Sequence, residues 1–198
     1  MNAYRPYMKV CTGLWALDTG DGMTELNLID ALVEKLRETF KDYQLKAKSG
    51  LLQTVSVFAQ YLPQPSAVTV EPKDDDETIE PQGYTPEDIE SNFPCVIVKF
   101  DEATDREEGA LNASRINIRI LVGTYDESPD CQGYRDVLNI IELVRQELLT
   151  LEGRVLHQRY RLEMPLKSYL FDEQAWPIYF GQIESVWETG RPMMPKNF

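Results

Sequence analysis

The residues of this chain that could do chemistry are a few grouped carboxylates, three cysteines and one histidine. Asp126, Glu127 and Asp130 stand in "GTYDESPDCQGY", between a strand-like run and a helix-like run. A phosphate cradle at such a corner needs glycines, N–H donors and usually a Lys or Arg, whereas this corner supplies acids. Carboxylates near a helix N-terminus interact favourably with its dipole, and Ser128-Pro129 reads as an N-cap followed by a first-turn proline. These acids therefore have a structural explanation. Hard cations take oxygen ligands, which leaves a metal-dependent hydrolase as an alternative, but the spacing matches no known Ca²⁺ or Mg²⁺ loop. A second group, Asp74, Asp75, Asp76 and Glu77, lies in a proline-rich stretch. Adjacent acids there read as solvated charge and lack the rigid placement that catalysis needs.

Cys11, Cys95 and Cys131 are widely spaced, with no C-x-x-C, so they read as free thiols of a reducing compartment. A nucleophilic cysteine would want a histidine base, and His157 is the only histidine. One histidine with scattered cysteines forms no zinc pattern, and no G-x-S-x-G or Walker sequence occurs. The expectation is a chain with no catalytic residues, no cofactor and no metal site.

The elements that would position these groups are partly legible. In "TELNLIDALVEKLRETFKD" the apolar residues Leu26, Ile29, Leu32, Val33, Leu36 and Phe40 form a helical stripe. The spacing predicts a helix from about Glu25 to Lys41, with Thr24 as N-cap. A second stripe, Tyr134, Val137, Leu138, Ile141, Val144 and Leu148, predicts a second helix. Alternation places Val55, Val57, Ala59 and Tyr61 on one face of a strand ending near Pro63. A short strand at Pro94–Phe100 is followed by an expected acidic turn, "DEATDREEGALNA". "SRINIRILVGTY" is the clearest strand, with Ile116, Ile118, Ile120 and Val122 against Arg115, Asn117, Arg119 and Leu121. "LHQRYRLEMPL" and "FGQIESVWET" also alternate, and an aromatic segment with Tyr169, Phe171, Trp176, Tyr179 and Phe180 lies between or beside them. That segment reads either as a loop capping the core or as a protein–protein contact, where Tyr and Trp are enriched.

The economical arrangement is an α+β, two-layer domain. A single mixed, mostly antiparallel sheet of about four to five strands carries both helices on one face. Residues 1–22 read as an N-terminal extension or arm, 23–190 as one domain containing a long acidic Pro-rich loop at 62–93, and 191–198 as a tail. The chain has 198 residues and is 42% hydrophobic, enough for one core. No apolar run approaches the roughly 20 residues that span a bilayer, and the first residues lack a continuous apolar signal-type segment. A soluble, non-exported protein is expected.

The net charge of −13 is uneven. From Glu71 to Glu108 there are 14 acids against 3 Lys or Arg, while the remainder holds 19 acids and 17 bases. This is the opposite of the field that neutralises phosphates, so sequence-specific nucleic-acid binding is not expected.

The succession "INIRILVGTYDESPDCQGYRDVLNIIELVRQELL", then "YRLEMPLKSYLFDEQAWPIYFGQIESVWE", resembles the tail terminator (tail completion) proteins of long-tailed bacteriophages and prophages. The likeness runs from about Phe93 to Glu188, with "VFAQYLP" upstream, and rests on arrangement rather than on a catalytic signature. It implies an α/β subunit without enzymatic activity or cofactor. Such subunits assemble into a hexameric ring on the last ring of the tail tube, and they can stay monomeric in solution until a tube end templates the ring. The partners implied are further copies, the tail tube protein and the neck or head-completion proteins. The location implied is the virion tail, reached from the host cytoplasm. A neck or head-closure protein of the same module is the nearest alternative. On either reading the interface candidates are the acids Asp74, Asp75, Asp76, Glu77, Asp101, Glu102, Glu107 and Glu108, facing a lumen or a neighbouring ring, and the aromatics Phe171, Trp176 and Tyr179.

Overall fold

The computed structural model describes residues 24–63, 90–108 and 111–190. The expected arm at 1–22, the tail at 191–198, Cys11 and the acids Asp74 to Glu77 lie outside the described residues.

The first helix, α1, spans Glu25–Phe40. It starts where the Thr24 side chain accepts a hydrogen bond from the Asn27 backbone N–H (3.3 Å), as the N-cap reading expects. Its apolar stripe is buried from Ile29 to Phe40, but Leu26 is 64% exposed and Leu28 is fully buried in its place. The second helix, α2, spans Gly133–Leu149 and buries Val137, Ile140, Ile141, Val144 and Leu148, while Leu138 faces outward. Its start corrects the expected cap at Ser128-Pro129. Gln132 is the N-cap and makes no side-chain cap bond. Ser128 is instead held by Asp126, whose carboxylate accepts from the Ser128 N–H (2.9 Å) and hydroxyl (2.7 Å). That local turn outcompetes helix at the proline.

The strands are β1 (Gln44–Lys46), β2 (Leu52–Thr54), β3 (Ser56–Ala59), β4 (Cys95–Glu108), β5 (Leu111–Tyr125), β6 (Val155–Leu156), β7 (Tyr160–Leu170) and β8 (Ile178–Gly190). β1 and β2 form a small antiparallel hairpin, and the other six form one sheet in the order β3-β4-β5-β8-β7-β6. Among the described residues only the β3–β4 pairing is parallel. The α+β class and the mixed sheet agree with expectation, while the strand number does not: six strands plus a two-stranded hairpin replace four to five.

The largest correction falls on the acidic turn. Asp101 to Glu108 continue β4, paired with β5 in a hairpin that passes a register irregularity between Phe100 and Glu102. The segment carries no apolar alternation because its side chains at Asp101–Asp105 are exposed. Pairing with β5, rather than burial, makes it a strand. The strand at 55–61 is corrected too: Val55 and Val57 are buried, but Ala59 and Tyr61 are exposed as the chain leaves the sheet.

Both helices cover one face. Val96 and Val98 of β4, Ile116, Ile118, Ile120 and Val122 of β5, Leu162 of β7, and Ile183 and Trp187 of β8 meet the helical stripes in one core. Two bonds tie polar groups into that core: Ser185 Oγ donates to the Ile118 carbonyl (3.2 Å), and Trp187 Nε1 donates to Ser185 Oγ (3.0 Å). α2 lies close enough to β8 that a Cβ on Gly181 would stand 2.7 Å from Val137 Cγ1 and 2.8 Å from Ile141 Cδ1. α1 is fastened by Arg37, whose guanidinium donates to the Val57 carbonyl (3.3 and 3.0 Å), and Lys35 pairs with Glu147 across to α2.

Candidate functional site

The opposite sheet face has no helix over it among the described residues. Side chains alternate across a pleat, so β5 turns Arg115, Asn117, Arg119 and Leu121 to this face. Registry sets Glu188, Glu184 and Gln182 of β8 beside Arg115, Arg119 and Leu121, and Glu102 and Thr104 of β4 beside Asn117 and Arg115. The charges close on one another across the strands. Arg115 pairs with Glu163 of β7 (2.6 Å), and Arg119 pairs with Asp101 (2.5 Å). Asn117 Nδ2 donates to Glu102 (2.8 Å). The Tyr169 hydroxyl donates to Glu184 (2.8 Å) and accepts from Gln182 Nε2 (2.8 Å).

Toward the end where β5 leaves for α2, the same face becomes apolar. Phe93, Cys95 and Tyr125 are buried there, with Phe58, Leu62, Ile97, Ile178 and Phe180 packed against them. Gly123 permits this: a Cβ there would sit 2.3 Å from the Phe93 ring, which meets the Phe180 ring edge-on at 5.7 Å. Burial pushes the Cys95 thiol up to about 12, the reverse of what an activated nucleophile needs. His157 is exposed in the β6–β7 turn at the other end of the sheet, at φ 50, followed by Gln158 at φ 58. Registry therefore keeps the histidine away from Cys95.

Tyr125 to Ser128 and Gln132 of this corner line a cleft of about 540 Å³ with the Lys46–Gly50 turn and with Arg135 and Asp136 of α2. Asp126 and Glu127 are committed to different partners. Asp126 holds Ser128, and Glu127 accepts the hydrogen bond of the Tyr125 hydroxyl. That carboxylate, with some burial, pushes the Tyr125 phenol up to about 12. Asp130 is exposed, and its backbone carbonyl accepts from Gln132. Asp136 is raised above the usual carboxylate range by burial and by the charge of Asp126. Among the described residues no three His, Cys, Asp or Glu side chains are grouped to hold a metal ion. The cleft mixes Lys46, Lys48 and Arg135 with these acids, and Lys48 pairs with Glu90 (2.5 Å).

The interface candidates are dispersed. Asp101 and Glu102 lie on the open face, engaged with Arg119 and Asn117. Glu107 and Glu108 lie at the end of β4. Trp176 is 60% exposed in the β7–β8 turn and Phe171 is half-buried against Tyr169 and Phe180. Tyr179 corrects its assignment to a surface: it is 5% exposed, and its ring lies where a Gly133 side chain would stand (2.3 Å). It belongs to the core. Sequence reading missed the edges of the sheet, because the strand pairings that leave an edge open are not written in periodicity.

No protein-family model matches the chain, and no curated protein matches it significantly. No helix among the described residues is long and apolar enough to cross a membrane.

Proposed function

We propose that this chain is a non-catalytic subunit of a phage tail that caps the tail tube, ends its polymerisation and forms the tail-side surface for head–tail joining. The sequence resemblance supplies the identity of the assembly. The observation that carries it is the one-sided sheet: among the described residues no helix lies over the second face, and the charges on its polar part pair with one another rather than gather around a substrate. Polar faces whose arginines are already ion-paired suit contacts between preformed subunits, because those charges enter the contact with partners. The partners are further copies in a hexameric ring, the tail tube protein below and neck or head-completion proteins above. The acidic hairpin of β4 and β5 faces the lumen or an adjoining ring, where negative charge repels passing DNA instead of holding it.

Co-sedimentation tests the assignment. Purified protein is mixed with tail tubes in one arm and with portal or adaptor rings in the other. Binding to tube ends supports the terminator. Binding to portal or adaptor alone moves the chain to the neck, and binding to neither removes the virion reading.

A further inference from the structure

Two protrusions at one end of the sheet carry exposed apolar residues beside charges of opposite sign. The first is the β1–β2 hairpin, which pairs only within itself, outside the six-stranded sheet. Leu51 and Leu52 are 71% and 69% exposed on it. Register sets Lys46 opposite Leu52, so an exposed lysine and an exposed leucine share one side of the hairpin. Residues 44–54 contain two lysines and no acid. Lys48 is already paired with Glu90, whereas Lys46 has no ion-pair partner among the described residues. The second protrusion is the β7–β8 loop, residues 171–177. Gln174 braces it: the side-chain amide donates to the Phe171 carbonyl (2.6 Å) and the Phe180 carbonyl (3.0 Å) and accepts from the Phe180 N–H (2.6 Å). The Pro177 carbonyl accepts from the Asp126 N–H (2.9 Å). On this braced backbone Trp176 is 60% exposed, and Asp172 and Glu173 are exposed as well. The loop has two acids and no base, and neither acid is paired among the described residues.

We infer that the β7–β8 loop of one copy docks on the β1–β2 hairpin of the next, with Trp176 covering Leu51 and Leu52 and with Asp172 and Glu173 meeting Lys46. Three observations choose a second copy as the occupant. First, the surfaces are complementary: each presents a large apolar side chain, and the charges beside them have opposite sign. Around the hairpin's cleft Arg135 adds a cation and Asp136 an acid, while Asp126 and Glu127 turn their carboxylates to Ser128 and Tyr125. Second, the two protrusions stand at the same level. Ser56, which follows the hairpin, is level with Cys95, Gly123 and Phe180, which follows the loop. Third, they lie on opposite flanks. The hairpin leads into β3 at one edge of the sheet, and the loop joins β7 to β8 toward the other. The Asp126 corner stands between them, lining the cleft with the hairpin turn and bonded to Pro177 of the loop. Copies set side by side in one orientation therefore bring the loop of one to the hairpin of its neighbour.

Tryptophan is enriched among the few residues that carry most of a contact's binding energy. A backbone already fixed by Gln174 loses little freedom when its tryptophan is covered, which favours binding. The opposite charges set the register of the contact more than its strength. The contact is heterologous, and such contacts generate rings when the rotation closes. The inference rests on the ring reading above only for that closure.

The test uses two full-length variants, each damaged on one protrusion. Trp176→Ala removes the loop's anchor and leaves the hairpin intact, while Leu52→Asp spoils the hairpin and leaves the loop intact. Both positions are exposed, so melting temperatures should stay close to that of the parent, and Leu51→Asp repeats the hairpin arm at a second exposed site. Parent, variants and an equimolar mixture of the two variants are followed by sedimentation velocity up to millimolar concentration, and by co-sedimentation with tail tubes. The parent should associate, and each variant alone should associate at least tenfold more weakly. The mixture should regain one contact, between the intact loop of Leu52→Asp and the intact hairpin of Trp176→Ala, and stop at a dimer. Variants that associate as the parent does overturn the docking and leave the ring reading standing. A mixture that associates no better than its separate components also overturns it, since the two protrusions then do not meet each other. A parent that associates neither in solution nor at tube ends overturns the docking and the ring together.

Discussion

The two faces of β5 are made of alternate residues of the same strand and are held by different physics. Ile116, Ile118, Ile120 and Val122 are at most 1% exposed beneath the helices. Arg115, Asn117 and Arg119, one residue out of phase, stay half-exposed and pair with side chains of neighbouring strands. Removing apolar area from water is worth about 25 cal/mol per Å², whereas half-exposed ion pairs contribute roughly 0–1 kcal/mol. The covered face therefore carries the stability, and the open face is free to be shaped by what it meets.

Substitutions on the two faces should separate accordingly. Trp187→Ala empties the middle of the covered face, where Trp187 is fully buried. It should cost about 3–5 kcal/mol in denaturant melts, and a loss below 1 kcal/mol would break the contrast. Gly181→Ala pushes a methyl into Val137 and Ile141. Its expected cost is about 1–3 kcal/mol, because overpacking moves a helix off the sheet.

The apolar end of the open face should fall between the extremes. Tyr125→Phe removes the hydrogen bond to Glu127 and should cost about 1 kcal/mol at neutral pH. The folded phenol titrates near 12 instead of 10, so the native state holds its proton where the unfolded chain has lost it. That stability is fully present below pH 10 and is lost as the pH climbs to about 12. The gap in melting temperature between parent and Tyr125→Phe should narrow across that window. A constant gap would show that the phenol's proton is not involved. Arg119→Ala, at the charged end, should cost less than about 1 kcal/mol, with the effect shrinking further in high salt. A loss comparable to that of Trp187→Ala would mean the open face is structural after all.

The same contrast explains what sequence reading reached. Both helices and β5 were legible because one face of each meets the core, and burial writes its period into the residue order. The continuation of β4 through "DEATDREE" was not, since a hairpin arm exposed at Asp101–Asp105 needs no apolar alternation. Stripe edges were misjudged where helix rotation decides: Leu28 and Ile140 are buried, while Leu26 and Leu138 are not. Tyr179 was grouped with a surface cluster by proximity along the chain, although the Gly133 it packs on comes from the start of α2. The corner acids read as partners of a helix start capped at Ser128, whereas their geometry is a turn closed by Asp126 on Ser128.

The central claim is that this subunit ends a polymer and makes or breaks no bond. Tail tubes polymerised with increasing amounts of the protein and imaged by electron microscopy test it most directly. The account predicts shorter or uniform tubes with a ring of extra density at one end. Tubes whose lengths and ends are unchanged at saturating protein would contradict it.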